Sequence, residues 1–261
     1  MEKSIEYTIA VVARKIEKGG KNIVFTGAGI STESGIPDFR SKGGIWDTYR
    51  PVYFDEFMSS KEARIEYWKR KVALYPDLMK AKPNPAHMAV AKLHEMGLLE
   101  AVITQNVDGL HQESGVPEDR VIELHGNTRR ARCMSCKRTI SLAEVHRRIQ
   151  QGDPAPECEC GGYLKSDTIS FGQTMPVEEV EHATQLSRNA DFFMVVGSTL
   201  LVHPAAAMPA YAVENGSFLA IVNLSETPYD DRAEALIREK AGEVLPAIVK
   251  EVIHQQRQQS G

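Results

Sequence analysis

Four short runs constrain this chain more than any other feature, because each is apolar from end to end and each stops at small polar residues. Ile23-Val24-Phe25-Thr26 runs into Gly27-Ala28-Gly29, and Ala101 to Thr104 into Gln105-Asn106-Val107-Asp108. Phe192 to Val196 runs into Gly197-Ser198-Thr199, and Phe218 to Val222 into Asn223-Leu224-Ser225. A strand with one wet face alternates apolar and polar residues, so a run without alternation is covered on both faces. Helical periodicity separates the runs. Ile5, Ile9, Val12, Ala13 and Ile16 form one stripe that ends at Gly19-Gly20, and Asn84-Pro85 opens a second helix that ends at Gly97. Apolar strands alternating with helices predict an α/β fold built on a Rossmann-like parallel sheet. Ligands bind such sheets beyond the strand C-termini, so one crevice lined by Gly27, Gln105, Gly197 and Asn223 is expected.

The composition changes between Arg129 and Arg148, where seven Arg or Lys residues face the single Glu144, and the four cysteines all fall from Cys133 to Cys160. Cys133-x2-Cys136 and Cys158-x-Cys160 supply four thiolates to one tetrahedral zinc. With four protein ligands no position is left for water, so the ion is structural; buried free cysteines are the competing reading. The tight second pair needs the backbone freedom of Gly161-Gly162. The expected organisation is a small zinc-binding module at residues 127–168 inserted into a Rossmann-like domain formed by 1–126 and 169–261. Residues 31–83, with aromatic residues and prolines but weak periodicity, are expected to supply a mobile cofactor loop and a helical insertion.

The formal net charge of −4 argues against dedicated nucleic-acid binding, and the basic residues near the cysteines read as a solvated face. The most apolar candidate for a membrane span, Leu200 to Val213, is interrupted by His203, Pro204 and Pro209. Met1-Glu2-Lys3-Ser4-Ile5-Glu6 lacks an apolar core for export, which leads to the expectation of a cytoplasmic, non-membrane protein. Gly27-Ala28-Gly29 after a strand suits a dinucleotide pyrophosphate, yet the dehydrogenase fingerprint asks for a third glycine where Thr32 stands. His125, within Glu123-Leu124-His125-Gly126, has the chemistry of a general base, although spacing alone also fits a structural histidine.

Taken together, these segments resemble the sirtuin (Sir2) family of NAD-dependent protein deacylases. The matching blocks are Gly27-Ala28-Gly29-Ile30-Ser31 with Gly35-Ile36-Pro37-Asp38-Phe39-Arg40, Thr104 to His111, and Glu123-Leu124-His125-Gly126. The paired cysteines, Phe171-Gly172, Gly197-Ser198-Thr199-Leu200 and Val222-Asn223 follow in order. The resemblance implies that NAD is consumed rather than used as a hydride carrier, which accounts for the missing third glycine. It implies cofactor contacts at Gly27, Ala28, Gly29, Asp38, Phe39, Arg40, Gln105, Asn106, Val107, Asp108, Gly197, Ser198, Thr199, Asn223, Leu224, Ser225 and Ala241.

It also implies catalytic roles for His125 and Asn106, with His125 as the base that deprotonates a ribose hydroxyl. Acylated-lysine proteins or peptides are the implied partners, pairing as an added strand at Phe171 and Gly172 and at Val202 and Pro204. Products would be lysine, nicotinamide and O-acyl-ADP-ribose. The chain departs from the family at Gln173, where Phe-Gly-Glu is usual. Members that remove succinyl or malonyl groups carry a Tyr-x-x-Arg pair; Tyr67 and Arg70 have that spacing, but the register places Trp68 and Lys71 at the reading positions, which favours deacetylation. Two rival readings are a mono-ADP-ribosyltransferase and a catalytically silent zinc interaction module.

Overall fold

A computed structural model describes residues 4–37 and 50–259. Its strands are β1 (Asn22–Thr26), β2 (Ala101–Thr104), β3 (Val121–Glu123), β4 (Gly126–Cys133), β5 (Thr139–Ser141), β6 (Leu164–Thr168), β7 (Phe192–Val196), β8 (Phe218–Val222) and β9 (Ala235–Ile237). Six of them form a parallel sheet in the order β3-β2-β1-β7-β8-β9. The chain winds from β1 outward to β3 on one side, then returns to β7 and winds outward to β9 on the other. This is the doubly wound order, and its reversal point lies between β1 and β7. All four apolar runs are strands of this sheet, and in β1, β2 and β7 every residue is buried.

Burial on both sheet faces explains the absence of alternation. On one face Val24, Val102, Met194 and Val196 pack against the helices Ile5–Lys18, Pro85–Glu95 and Ala241–Gln259 through Val12, Ile16, Val90, Leu93, Val244 and Ile248. On the other, Phe25, Ile103, Phe193 and Val195 meet Ala183, Met208 and Ala212 from the helices Val177–Arg188 and Met208–Glu214. The helix Pro85–Glu95 starts as its sequence indicates, with the Asn84 side chain accepting from the Ala86 and His87 backbone N–H groups.

The remaining three strands form a separate antiparallel sheet, β5-β4-β6, inserted between the third and fourth strands of the large one. β4 is long but not apolar, because Arg130 and Arg132 both bind Asp167 of β6, at 2.6 and 2.8 Å. Within residues 50–83 the chain forms two helices, Phe54–Ser59 and Lys61–Lys80. They pack on the small sheet: Phe57, Tyr67 and Trp68 share a core with Ala131, Leu142, Val145 and Leu164, and the Trp68 indole donates to the Leu164 carbonyl at 3.1 Å. Among the described residues no helix is long and apolar enough to cross a membrane.

Candidate active site and metal centre

The glycine turns after β1 and β7 interlock at the reversal point of the sheet. Gly29 N–H donates to the Gly197 carbonyl at 2.8 Å, and Gly197 holds φ +62°. A Cβ on Gly197 would stand 2.3 Å from Ile30 N, and one on Gly29 would stand 2.7 Å from Gly197 Cα. Only glycine lets these backbones approach so closely.

Polar side chains then tie the neighbouring strand ends together. Asn106 is buried and donates through its amide to the Gly27 carbonyl at 3.0 Å and to Ser31 Oγ at 3.1 Å. The Ser31 hydroxyl donates to Asp108 Oδ2 at 2.8 Å, while Asp108 Oδ1 accepts from Leu110 N–H at 2.9 Å. Ser198 Oγ donates to Gln105 Oε1 at 3.2 Å. The buried Gln105 Nε2 has no partner among the described residues. Asn223 is buried at the end of β8, its amide donating to the Ser225 carbonyl and hydroxyl at 2.8 and 3.1 Å. Val107 accepts from both the N–H and the hydroxyl of Thr128, which fixes the backbone beside Asp108.

His125 occupies the short turn where the chain leaves β3 of the large sheet and enters β4 of the small one. Its carbonyl accepts from Ile169 N–H at 3.0 Å, and its Nδ1 lies 2.9 Å from the Gln105 carbonyl. A carbonyl only accepts, so Nδ1 carries the hydrogen, and in the neutral form of the ring the lone pair is on Nε2. The turn is anchored from both sides by Glu123, whose carboxylate accepts from Gln112 at 2.7 Å, Asn127 at 2.5 Å and Arg130 at 2.7 Å.

Of the expected site residues, the structure brings Gly27, Ala28, Gly29, Gln105, Asn106, Val107, Asp108, Gly197 and Ser198 to one rim, with Asn223 two strands away on the same edge. Thr199, Leu224 and Ser225 are exposed beside it, and Ala241 is buried at the start of the last helix. Asp38, Phe39 and Arg40 lie outside the described residues. Phe171 and Gly172 are in a turn rather than a ladder strand, and the Phe171 carbonyl accepts from Phe54 N–H at 2.9 Å. Val202 and Pro204 follow in an irregular stretch after β7.

Spacing gave no sign of two histidines behind this rim. His111 Nε2 lies 2.9 Å from Thr26 Oγ1, and its ring centroid is 5.1 Å from that of His87. Burial pushes His87 down to about 4 and His111 well below the usual imidazole range, so both are neutral near pH 7. The available signal was His87 three residues after the Asn84 cap and His111 seven residues after Thr104.

The four cysteine sulfurs lie within 4.8 Å of one another, with Cys133 Sγ 3.5 Å from Cys160 Sγ and Cys136 Sγ 3.8 Å from Cys158 Sγ. Zinc–thiolate bonds of about 2.3 Å place tetrahedral sulfurs about 3.8 Å apart, so the donor set fits zinc, whereas a disulfide brings sulfurs to about 2 Å. Gly161 at φ +80° makes the one-residue spacing of Cys158 and Cys160 feasible.

A sequence comparison matches residues 27–204 to the Sir2 family. The chain belongs to the Sir2 family. It is 52% identical over 231 residues to a protein of Bradyrhizobium diazoefficiens named NAD-dependent protein deacetylase 1, covering 88% of this chain and 91% of that protein. A Thermodesulfovibrio yellowstonii protein named NAD-dependent protein deacetylase is 43% identical, covering 95% and 97%. A solved Sir2 structure with deacetylated p53 peptide and 3′-O-acetyl ADP-ribose is 37% identical, covers 92% of this chain and 96% of that one, and superposes with a TM-score of 0.82. In this Sir2 chain the family resemblance and the doubly wound sheet agree, and the cysteine cluster sits where a structural zinc fits.

Proposed function

We propose that this Sir2 chain is an NAD-dependent protein-lysine deacylase acting on acylated-lysine proteins or peptides, with deacetylation favoured and His125 as the general base. The single observation that carries the assignment of the base is the His125 ring at the junction of the two sheets, its Nδ1–H held by the Gln105 carbonyl at the rim.

The rim fits NAD on two grounds. Interlocked glycine turns at the reversal point of a doubly wound sheet leave the backbone close to whatever lies across it. The buried Gln105 amide nitrogen is a donor without a partner among the described residues. NAD, when bound, supplies a sugar hydroxyl to accept the acyl group and releases nicotinamide.

The residues divide by position. Gly27, Ala28, Gly29, Gly197, Ser198 and Thr199 would hold the phosphates, with Asn223, Leu224, Ser225 and Ala241 at the adenosine end. Val107 and Asp108 would face the carboxamide, and Gln105 and Asn106 the nearer ribose. Asp38, Phe39 and Arg40 complete the cofactor set in this reading. Asn106 has its amide already donated to Gly27 and Ser31, so it acts by holding the two strand ends in register as well as by contact. His125 takes the proton at Nε2, and its bond to Gln105 keeps the ring in the tautomer that accepts there. Holding the acyl oxygen and the sugar in one geometry supplies much of the remaining acceleration.

Phe171, Gly172, Val202 and Pro204 are assigned to the peptide, and residues 127–168 to a zinc-binding module within a domain of 1–126 and 169–261. Arg70 is paired with Glu66 at 2.7 Å, which supports the register that leaves it out of acyl recognition.

The test is mass spectrometry of acetyl-, succinyl- and long-chain-acyl peptides incubated with and without NAD. The expected result is acetyl loss only with NAD, matched by one nicotinamide and one O-acetyl-ADP-ribose. A peptide or protein that gains ADP-ribose while keeping its acyl group would overturn the proposal in favour of ADP-ribosyl transfer.

A further inference from the structure

Where the helix Lys61–Lys80 packs on the small sheet, two lysines converge on one aromatic ring. Lys165 of β6 is fully buried, and its ammonium lies 5.5 Å from the centroid of the Tyr67 ring, while that of Lys71 lies 5.7 Å from the same centroid. The Lys165 ammonium donates to the Thr168 carbonyl at 2.5 Å and toward the Ser166 carbonyl at 3.4 Å. These bonds orient it without neutralising it. Asp167, whose charge acts on Lys165, is taken up by Arg130 and Arg132 at 2.6 and 2.8 Å. Among the described residues the two ammonium groups have no carboxylate in salt-bridge contact.

Two hydroxyls lie in the same place. Tyr67 is 7% exposed and Ser166 is fully buried; the Tyr67 hydroxyl faces Ser166 and Thr168, yet among the described residues neither Tyr67 Oη nor Ser166 Oγ makes a well-formed hydrogen bond. A buried hydroxyl short of a well-formed hydrogen bond costs about 1–3 kcal/mol, which an acceptor shared by the two would recover. Burial lowers Lys165 to about 7, with the Lys71 charge adding to the effect, and lowers Lys71 to about 8. Two ammonium groups over one ring and two hydroxyls beside them are complementary to the same ligand, a small anion.

We propose that Lys165, Lys71, Tyr67 and Ser166 form a buried binding site for a small monoanion of the size of chloride. The anion would accept from the two hydroxyls and offset the two ammonium charges. Its position gives it leverage on the site already described: the Thr168 carbonyl that receives Lys165 directly precedes Ile169, whose N–H binds the His125 carbonyl. Occupancy therefore steadies the end of β6 that supports the histidine turn. The proposal does not depend on the assignment of the reaction.

The probe is bromide. Crystals of the zinc-loaded full chain soaked in sodium bromide, measured at the bromine absorption edge, are expected to show an anomalous peak between Lys165 Nζ, Lys71 Nζ and Tyr67 Oη. Thermal unfolding at fixed ionic strength, with chloride replacing gluconate, is expected to raise Tm by about 3–5 °C once chloride exceeds its dissociation constant about tenfold. Lys165→Met and Lys71→Met should each lose that shift. A bromide map without the peak overturns the proposal, as does an equal chloride response in wild type and variants. If the variants do not fold, the diffraction experiment on the wild type decides alone.

Discussion

Gly197→Ala is expected to destabilise the chain far more than the same change at another left-handed glycine. At Gly197, φ is +62°, and an added methyl would lie 2.3 Å from Ile30 N and 2.6 Å from Gly29 C. Both contacts are backbone, so no side chain can rotate away. The left-handed conformation costs an alanine about 1–2 kcal/mol, and forced overpacking adds about 1–3 kcal/mol. A loss of about 2–5 kcal/mol follows, a large part of a typical domain's total of about 5–15 kcal/mol. Gly97, which ends the helix Pro85–Glu95, is the control: φ is +70°, and no described atom lies within 4 Å of the added Cβ. Gly97→Ala should therefore cost only about 1–2 kcal/mol. Urea unfolding followed by far-UV circular dichroism measures both. Equal losses at the two positions would refute the claim that the turns after β1 and β7 interlock.

The zinc assignment predicts one zinc per chain by elemental analysis of the purified protein, and a lower, less cooperative melting transition for Cys136→Ser or after chelation. A protein without zinc that melts as cooperatively as before would count against it. The buried histidine pair sets a pH dependence. His87 stays neutral in the folded chain down to about 4, whereas in the unfolded chain it protonates near 6.5, so the unfolded state binds more protons between those values. Stability should rise with pH across that window and fall on acidification, by up to about 3 kcal/mol for His87 alone. Urea midpoints that stay flat from pH 4 to 6.5 would contradict this.

The sheet was legible because burial on both faces leaves a mark in the sequence. Val24, Phe25, Val102, Ile103, Phe193 and Met194 follow one another without alternating with exposed polar residues, since neither face meets water. β4 lacked that mark, because Arg130 and Arg132 are matched by Asp167, a partner far away along the chain. The cysteines announced the metal centre by spacing, yet spacing could not say that the helix Lys61–Lys80 would close over the same module through Trp68.

Within the site, the strand-end clusters found the rim because the topology of a doubly wound sheet gathers them there. The role proposed for His125 was less visible. It depends on the Gln105 carbonyl and the Glu123 hub, contacts made across strands that no local pattern encodes. The histidine pair was hidden for the same reason, since burial lowers their pKa and burial is a property of the packed chain. The Gln173 side chain accepts from Ser170 N–H at 3.2 Å, a turn contact a glutamate would also make, so nothing in the structure explains the departure from glutamate.

The central claim is tested most directly by His125→Ala, with deacetylation of an acetyl-lysine peptide and NAD affinity by calorimetry measured on the same preparation. Removing a general base costs about 10²–10⁴ in rate, so kcat/KM should fall by that factor while NAD still binds. Deacetylation at the wild-type rate by this variant would contradict the account.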